Sequence, residues 1–176
     1  MSVETLYQMG DDALANLFDI SIDPIAYIDN VSSVLVRVQN LTIPASGANT
    51  YEVNYKTLTI TKPGGKVDKP SEFSFDIRVD RNWAVYKGFV AWKNAIANSD
   101  TGNIGDDSPG NNNRINITAW AVQPNGDPIP NFGSWYFKGA WPSNIGDVGF
   151  DYASGDPLTV TITMNCLTVD DNNLDG

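Results

Sequence analysis

From Glu72 to Asp80 the chain alternates without a break: Phe73, Phe75, Ile77 and Val79 against Glu72, Ser74, Asp76, Arg78 and Asp80. Successive side chains of a β-strand point to opposite faces. This segment is therefore read as a strand with one face on a core and the other in a polar setting. A one-residue slip would turn every apolar side chain outward, so the register is fixed by the pattern itself. The same alternation recurs elsewhere. At 17–22, Phe18, Ile20 and Ile22 oppose Asp19 and Ser21; at 33–43, Val34, Val36 and Val38 oppose Leu35, Arg37, Gln39 and Leu41. At 51–61, Leu58 and Ile60 oppose Thr57, Thr59 and Thr61, and at 158–169 Leu158, Val160, Ile162, Met164 and Cys166 oppose Thr159, Thr161, Thr163 and Asn165. Segments 114–122 and 134–140 complete a set of about seven predicted strands.

Turn formers separate them. Asp23-Pro24 and Pro44 end strands, and Asn125-Gly126 between two alternating runs predicts a hairpin. Residues 62–70 (KPGGKVDKP) and 98–113 read as exposed loops, 141–152 as irregular, and 170–176 as an acidic tail. The period changes once. Over 82–97, Trp83, Tyr86, Phe89, Val90 and Ile96 fall near one helical stripe, with Asp80 placed to cap the N-terminus. Gly88 costs that helix about 1 kcal/mol relative to Ala, which points to close packing. A short helix or arm is expected over 1–16, weakened by Gly10. Hairpin turns rather than helices join the strands, so the fold class is mainly β: one antiparallel sandwich or barrel-like domain, residues 1–176, with one flanking α-helix.

Composition narrows the chemistry. The chain carries 11 Lys and Arg against 21 Asp and Glu, a net charge of −10, with no histidine and one cysteine. Without histidine there is no Ser-His-Asp triad, no His-assisted cysteine and no histidine metal ligand. One cysteine, Cys166, leaves no intrachain disulfide and reads as a buried, inert thiol. Gly64-Gly65-Lys66 lacks the spacing and the following helix of a phosphate loop. The pairs Asp11-Asp12, Asp106-Asp107 and Asp170-Asp171 lack the closing Glu of a calcium loop. The expectation is no enzymatic activity, no cofactor and no metal. So acidic a surface repels phosphates and anionic lipids, excluding a DNA-gripping or membrane-bound role. No basic-then-apolar leader opens the sequence and no run approaches a membrane span, so the chain is expected to stay in a cytoplasm or in a particle built there. Trp120, Trp135, Tyr136, Phe137 and Trp141 form either a core or interface cluster or a sugar-stacking shelf. The latter would make the chain a carbohydrate-binding β-sandwich.

The two-faced strands also suit edge-to-edge joining between copies, since closing a sheet into a ring removes its exposed edges. The order of signals resembles the tail tube proteins of contractile bacteriophages. NLFDISID resembles that family's first strand, and EFSFDIRVDRNWAVYKGFVAWKNAI its strand running into a single helix. WYFKGAWPSNIGDVGFDYASGDPLTVTITMNCLTVD resembles its C-terminal part. The resemblance spans 16–170, and the long Asn/Gly-rich segment at 98–113 departs from it. It implies a barrel-like protomer whose hexameric rings stack into a tube with a continuous β-barrel lining, conducting DNA during infection. The tube protein of bacterial secretion systems shares the fold and is the alternative. Implied partners are further copies of the chain, tail sheath, baseplate or tube-initiator and tape-measure proteins, with DNA only in transit. The implied location is the virion tail, assembled in the host cytoplasm. On this resemblance Ser74, Asp76, Arg78, Thr159, Thr161, Thr163 and Asn165 line the lumen, and the loop carrying Lys62, Lys66 and Lys69 reaches the adjacent ring.

Overall fold

The computed structural model describes residues 16–44, 47–68, 71–98, 101–102, 104–105, 113–127, 133–151 and 155–171, with backbone only at 48, 66–68 and 171. The elements in chain order are β1 (Phe18–Ile22), α1 (Val31–Leu35), β2 (Val38–Thr42), β3 (Gly47–Tyr55), β4 (Leu58–Asp68) and β5 (Glu72–Arg78), followed by α2 (Ala84–Ile96), β6 (Ile115–Ala121), β7 (Ser134–Ile145), β8 (Thr159–Asn165) and β9 (Thr168–Asp171). One sheet runs β1-β6-β7-β8-β5-β2 with β9 also beside β7, and β3-β4 form a separate two-stranded sheet. Every pairing is antiparallel. The fold is thus mainly β with a flanking helix, as the alternation and turn signals predict.

β7 belongs to both halves of the large sheet. Its first part pairs with β6 and β9; from Trp141 onward it pairs with β8. Register shifts at Ile115/Ile117 and Pro142/Asn144 bend it between the two. Gly139 sits at this corner with φ +61, and a Cβ there would stand 2.7 Å from Leu167 Cδ1. Only glycine meets both conditions without strain. The bend lets the inward faces of the two halves share one core. Phe73, Phe75 and Ile77 of β5, Val160, Ile162 and Met164 of β8, Ile117 of β6 and Phe137 of β7 are all buried. Phe73 stacks on Phe137 at 4.0 Å between ring centroids, and Phe75 meets Phe89 of α2 edge-on at 5.9 Å.

The buried stripe of α2 is Val85, Gly88, Phe89 and Trp92, the i, i+3, i+4, i+7 set. The expected stripe through Trp83, Tyr86, Phe89, Val90 and Ile96 is shifted: of these five only Phe89 is fully buried, while Tyr86 and Ile96 pack on the core from its margin. Trp83 stands ahead of the first turn at φ 60 and packs edge-on against Tyr86. Trp92 donates its Nε1–H to the Asn113 carbonyl (2.8 Å), and Tyr27 donates its hydroxyl to Asn113 Oδ1 (2.9 Å). These bonds give both oxygens of buried Asn113 a donor and tie the helix to the chain entering β6.

Four other expectations change. Residues 33–43 are not one strand: the first part is the one-turn helix α1, with Val34 buried and Val36 76% exposed. Ser33 bonds the Asn30 carbonyl through both its N–H and its hydroxyl, an alternative to strand pairing. The single strand at 51–61 and the loop at 62–70, as far as Asp68, are instead a long hairpin, turning at Lys56-Thr57 with Lys56 at φ 56. The Gly64 region is not a free loop either, since a Cβ at Gly64 would stand 2.7 Å from the Asn49 carbonyl of the partner strand. Residues 141–145 are not irregular but continue β7. The last strand breaks at Cys166-Leu167, and Asp170 and Asp171 belong to β9 rather than to a tail. The helix expected within 1–16 and most of the segment 98–113 lie outside the described residues.

Two stability outcomes follow from this packing. A Cβ on Gly88 would meet the Tyr27 carbonyl at 2.8 Å. Gly88→Val should therefore cost about 1–3 kcal/mol in urea unfolding, the range for overpacking; no loss would show that the helix shifts freely on its support. The second concerns Asp80, which accepts hydrogen bonds from the N–H groups of Ala84 and Val85, both at 3.1 Å. Burial pushes this carboxyl up. Those backbone bonds, with Arg37 nearby, outweigh it and hold the carboxyl below its ordinary value. A lowered native value means the capping stabilisation is complete above the unfolded pKa, ~3.9, and is lost as pH falls through the native one. Asp80→Ala should cost about 0.5–2 kcal/mol near neutral pH, with the gap to the parent closing on acidification below about pH 4.

Candidate functional site

The outward face of β2, β5 and β8 is a continuous polar lawn. Across β5 and β8 the register sets Glu72 opposite Asn165, Ser74 opposite Thr163, Asp76 opposite Thr161 and Arg78 opposite Thr159. β2 adds Asn40 opposite Asp76 and Thr42 opposite Ser74. All seven residues expected on a wet face are thus brought onto one surface, and none is buried. Asp76 organises the middle: Oδ1 accepts from the Thr161 hydroxyl (2.6 Å) and Oδ2 from the Asn40 amide (3.3 Å). The Thr159 hydroxyl donates to Gln39 Oε1 at 3.3 Å. Glu72, Asp76 and Arg78 are the ionisable groups of this β5–β8 face, so its sum is one negative charge.

With residues 141–145 of β7 beside β8, these strands form a four-stranded unit, and both of its edges are open among the described residues. β2 pairs only with β5. The second part of β7 has β8 on one side, while the β6 ladder on the other side ends at Ala140. Unpaired edge N–H and C=O groups are templates for a further strand.

The β3-β4 hairpin, absent from the sequence reading, is the second surface. Its register places Tyr51, Val53, Tyr55, Leu58, Ile60 and Lys62 on one face, with Glu52, Asn54, Thr59 and Thr61 on the other. The apolar face is uncovered: Tyr55 is 66% and Leu58 59% exposed, and no hairpin residue joins the core. The Thr57-to-Thr61 alternation was visible, but the turn carries no Gly, Asn or Pro to announce it. Of the three lysines expected on a loop here, Lys62 is exposed on β4 opposite Tyr51; Lys66 is on β4 by its backbone, and Lys69 lies outside the described residues.

The five aromatics do not form one shelf: Phe137 is fully buried and Trp135 and Trp141 pack against the core, while half-buried Trp120 and Tyr136 lie on the other face of the β6–β7 pair from Trp135 and Phe137. Cys166 is buried, and burial pushes its thiol pKa up. Cys166 should therefore resist a thiol reagent at about pH 8 while the chain is folded and react fully in denaturant; equal rates in both would place it at the surface.

No protein-family model matches this chain, and no curated protein matches it either. Solved structures do. The sheath/tube terminator structure of PVC, an extracellular contractile injection system, contains a chain matching 92% of this one over 96% of its own length, with TM-score 0.65 and 14% identity. A chain of the PVC sheath-tube complex in the extended state matches over 97% of both chains, with TM-score 0.60 and 14% identity. One from the tube-terminating cap of the anti-feeding prophage matches 92% of this chain over 91% of its own, with TM-score 0.62 and 16% identity. At such identities the likeness establishes the fold: this chain folds like chains of contractile injection system tube and terminator assemblies.

Proposed function

We propose that this chain is a structural subunit of a contractile injection apparatus, assembling with copies of itself into rings and stacked tubes, without enzymatic activity. The observation that carries this reading is the four-stranded unit with a polar outer face and two open edges. It occurs in a chain whose fold matches tube and terminator chains along nearly its full length. Joining the β2 edge of one copy to the 141–145 edge of the next would pair the exposed backbone and close the sheet on itself. The lawn around Asp76 and Thr161 then faces the lumen.

The electrostatics support a conduit. A lining of Thr, Ser and Asn with a small negative sum offers phosphates no cationic grip, so nucleic acid or another polyanion would pass with little adhesion. The hexameric ring, a phage tail as the setting, virion localisation and DNA as cargo are the finer form of the proposal, supported by the sequence resemblance. A secretion tube of the same fold is its alternative. Sheath and baseplate are the partners suggested by the assemblies containing the similar chains; a tape-measure protein is suggested by the resemblance. A carbohydrate-binding module is disfavoured because Phe137 is buried, Trp135 and Trp141 pack on the core, and only Trp120 and Tyr136 remain on the outer face.

Negative-stain microscopy of the purified chain tests the reading. Rings or tubes are the expected result, and dispersed monomers at every concentration would contradict it. Charge reversal at Lys62, Lys66 and Lys69 should reduce tube length while leaving the folded monomer intact by circular dichroism. Each such exposed pair is worth only ~0–1 kcal/mol, but ring symmetry repeats it in every copy.

A further inference from the structure

Arg37 and Arg78 are neighbours across the β2–β5 pair, joined by a hydrogen bond from the Arg78 N–H to the Arg37 carbonyl (3.0 Å). Both line one open depression of about 560 Å³ at the end of the polar lawn, together with Asn30, Ser32, Val36 and Pro157. Two of the chain's eleven cations thus meet in one place, although the net charge is −10. Among the described residues no carboxylate lines the depression.

Neither guanidinium forms an ion pair among the described residues. The acids two positions either side of Arg78 are engaged elsewhere. Asp76 accepts from the Thr161 hydroxyl and the Asn40 amide, and Asp80 from the N–H groups of Ala84 and Val85. Arg78 Nε is buried, and no acceptor of the protein reaches it. A buried donor without an acceptor costs stability, as do like charges on facing residues, and an anion between the two arginines relieves both.

We infer that this depression binds a phosphate monoester, with its dianion between the two guanidiniums and its organic part against the apolar flank. Charge and shape select that class. Guanidinium forks match phosphate oxygens, and a dianion balances two cations where a single carboxylate leaves one over. The exposed Ser32 hydroxyl and Asn30 amide offer further donors. Val36 is largely exposed on the same rim, with Val79 and Pro157 beside it, an apolar side for which free phosphate has no use. The site lies within one chain and does not depend on assembly. In the proposed tube it stands at the end of the lumen wall. The bound dianion cancels the cationic pair there, in keeping with a wall that gives polyanions no grip.

Isothermal titration calorimetry of the folded chain with adenosine monophosphate, at constant ionic strength, tests this site. One saturable site per chain is expected, with inorganic phosphate binding more weakly and acetate not at all. Arg37→Gln and Arg78→Gln should each weaken binding at least about tenfold, the loss of one charge-assisted bond. Lys62→Gln, on the hairpin, should leave it unchanged. Ser32→Asp, at an exposed position, puts a carboxylate into the depression and should abolish binding with the circular dichroism spectrum unaltered. The inference is overturned by an absence of saturable binding, by binding that survives in Arg78→Gln or Ser32→Asp, or by an equal loss in Lys62→Gln, which would mark general charge attraction. Acetate binding as tightly as the monoester would overturn the dianion, and inorganic phosphate binding as tightly would overturn the role given to the apolar flank.

Discussion

Backbone hydrogen bonding at two sheet edges governs this structure. The amides and carbonyls of β2 facing away from β5, and those of residues 141–145 facing away from β8, have no strand partner among the described residues. Water can satisfy them in a monomer, yet an open edge beside a flat polar face is an aggregation hazard that soluble proteins usually blunt with charge or bulges. Here the edge strand β2 (VQNLT) contains no charged residue. In the proposed assembly the edges need no blunting, because each is covered by the other. The polar lawn has the same logic: it cannot join the core, it is too continuous to be incidental, and inside a ring it becomes the wetted wall.

Everything that positions these edges depends on the bend of β7. The strand must serve β6 and β9 first and β8 afterwards, and the corner is possible because Gly139 takes φ +61 against Leu167. That bend divides the sheet into two halves around Phe73, Phe75 and Phe137. It also frees the second part of β7 from β6, creating the open edge. The helix α2 seals the core with Phe89 and Trp92 and is held at its start by Asp80. Function and stability therefore meet in one strand.

Much of this was legible in the sequence where a single physical cause acts alone. The strict alternation at 72–80 gave β5 with its buried and polar faces as far as Arg78, where the chain leaves the strand so that Asp80 caps the helix. The same held for β1, and for β8 as far as Asn165. Gly88 was read as a close-packing site, and the Tyr27 carbonyl proves to be what it approaches. The errors share a cause: local pattern decided by partners that sequence order does not reveal. Val34 and Val36 look alike on paper, but a single helical turn separates a buried valine from an exposed one. Gly64-Gly65 signals a loop until Asn49 of the opposing strand is seen pressing on it. The hairpin arm was hidden because its turn, Lys56-Thr57, has ordinary residues. An apolar face left exposed looks in sequence like one that packs in a core.

The central claim is that the Asp76–Thr161 face turns inward when copies join through β2 and residues 141–145. A cryo-electron microscopy reconstruction of the assembled protein at side-chain resolution measures this most directly. The account predicts a continuous sheet around the lumen, with β2 hydrogen-bonded to residues 141–145 of the neighbouring copy and Thr159, Thr161 and Asp76 facing the channel. A ring in which that face lies outside, or in which β2 meets no neighbouring strand, would contradict it.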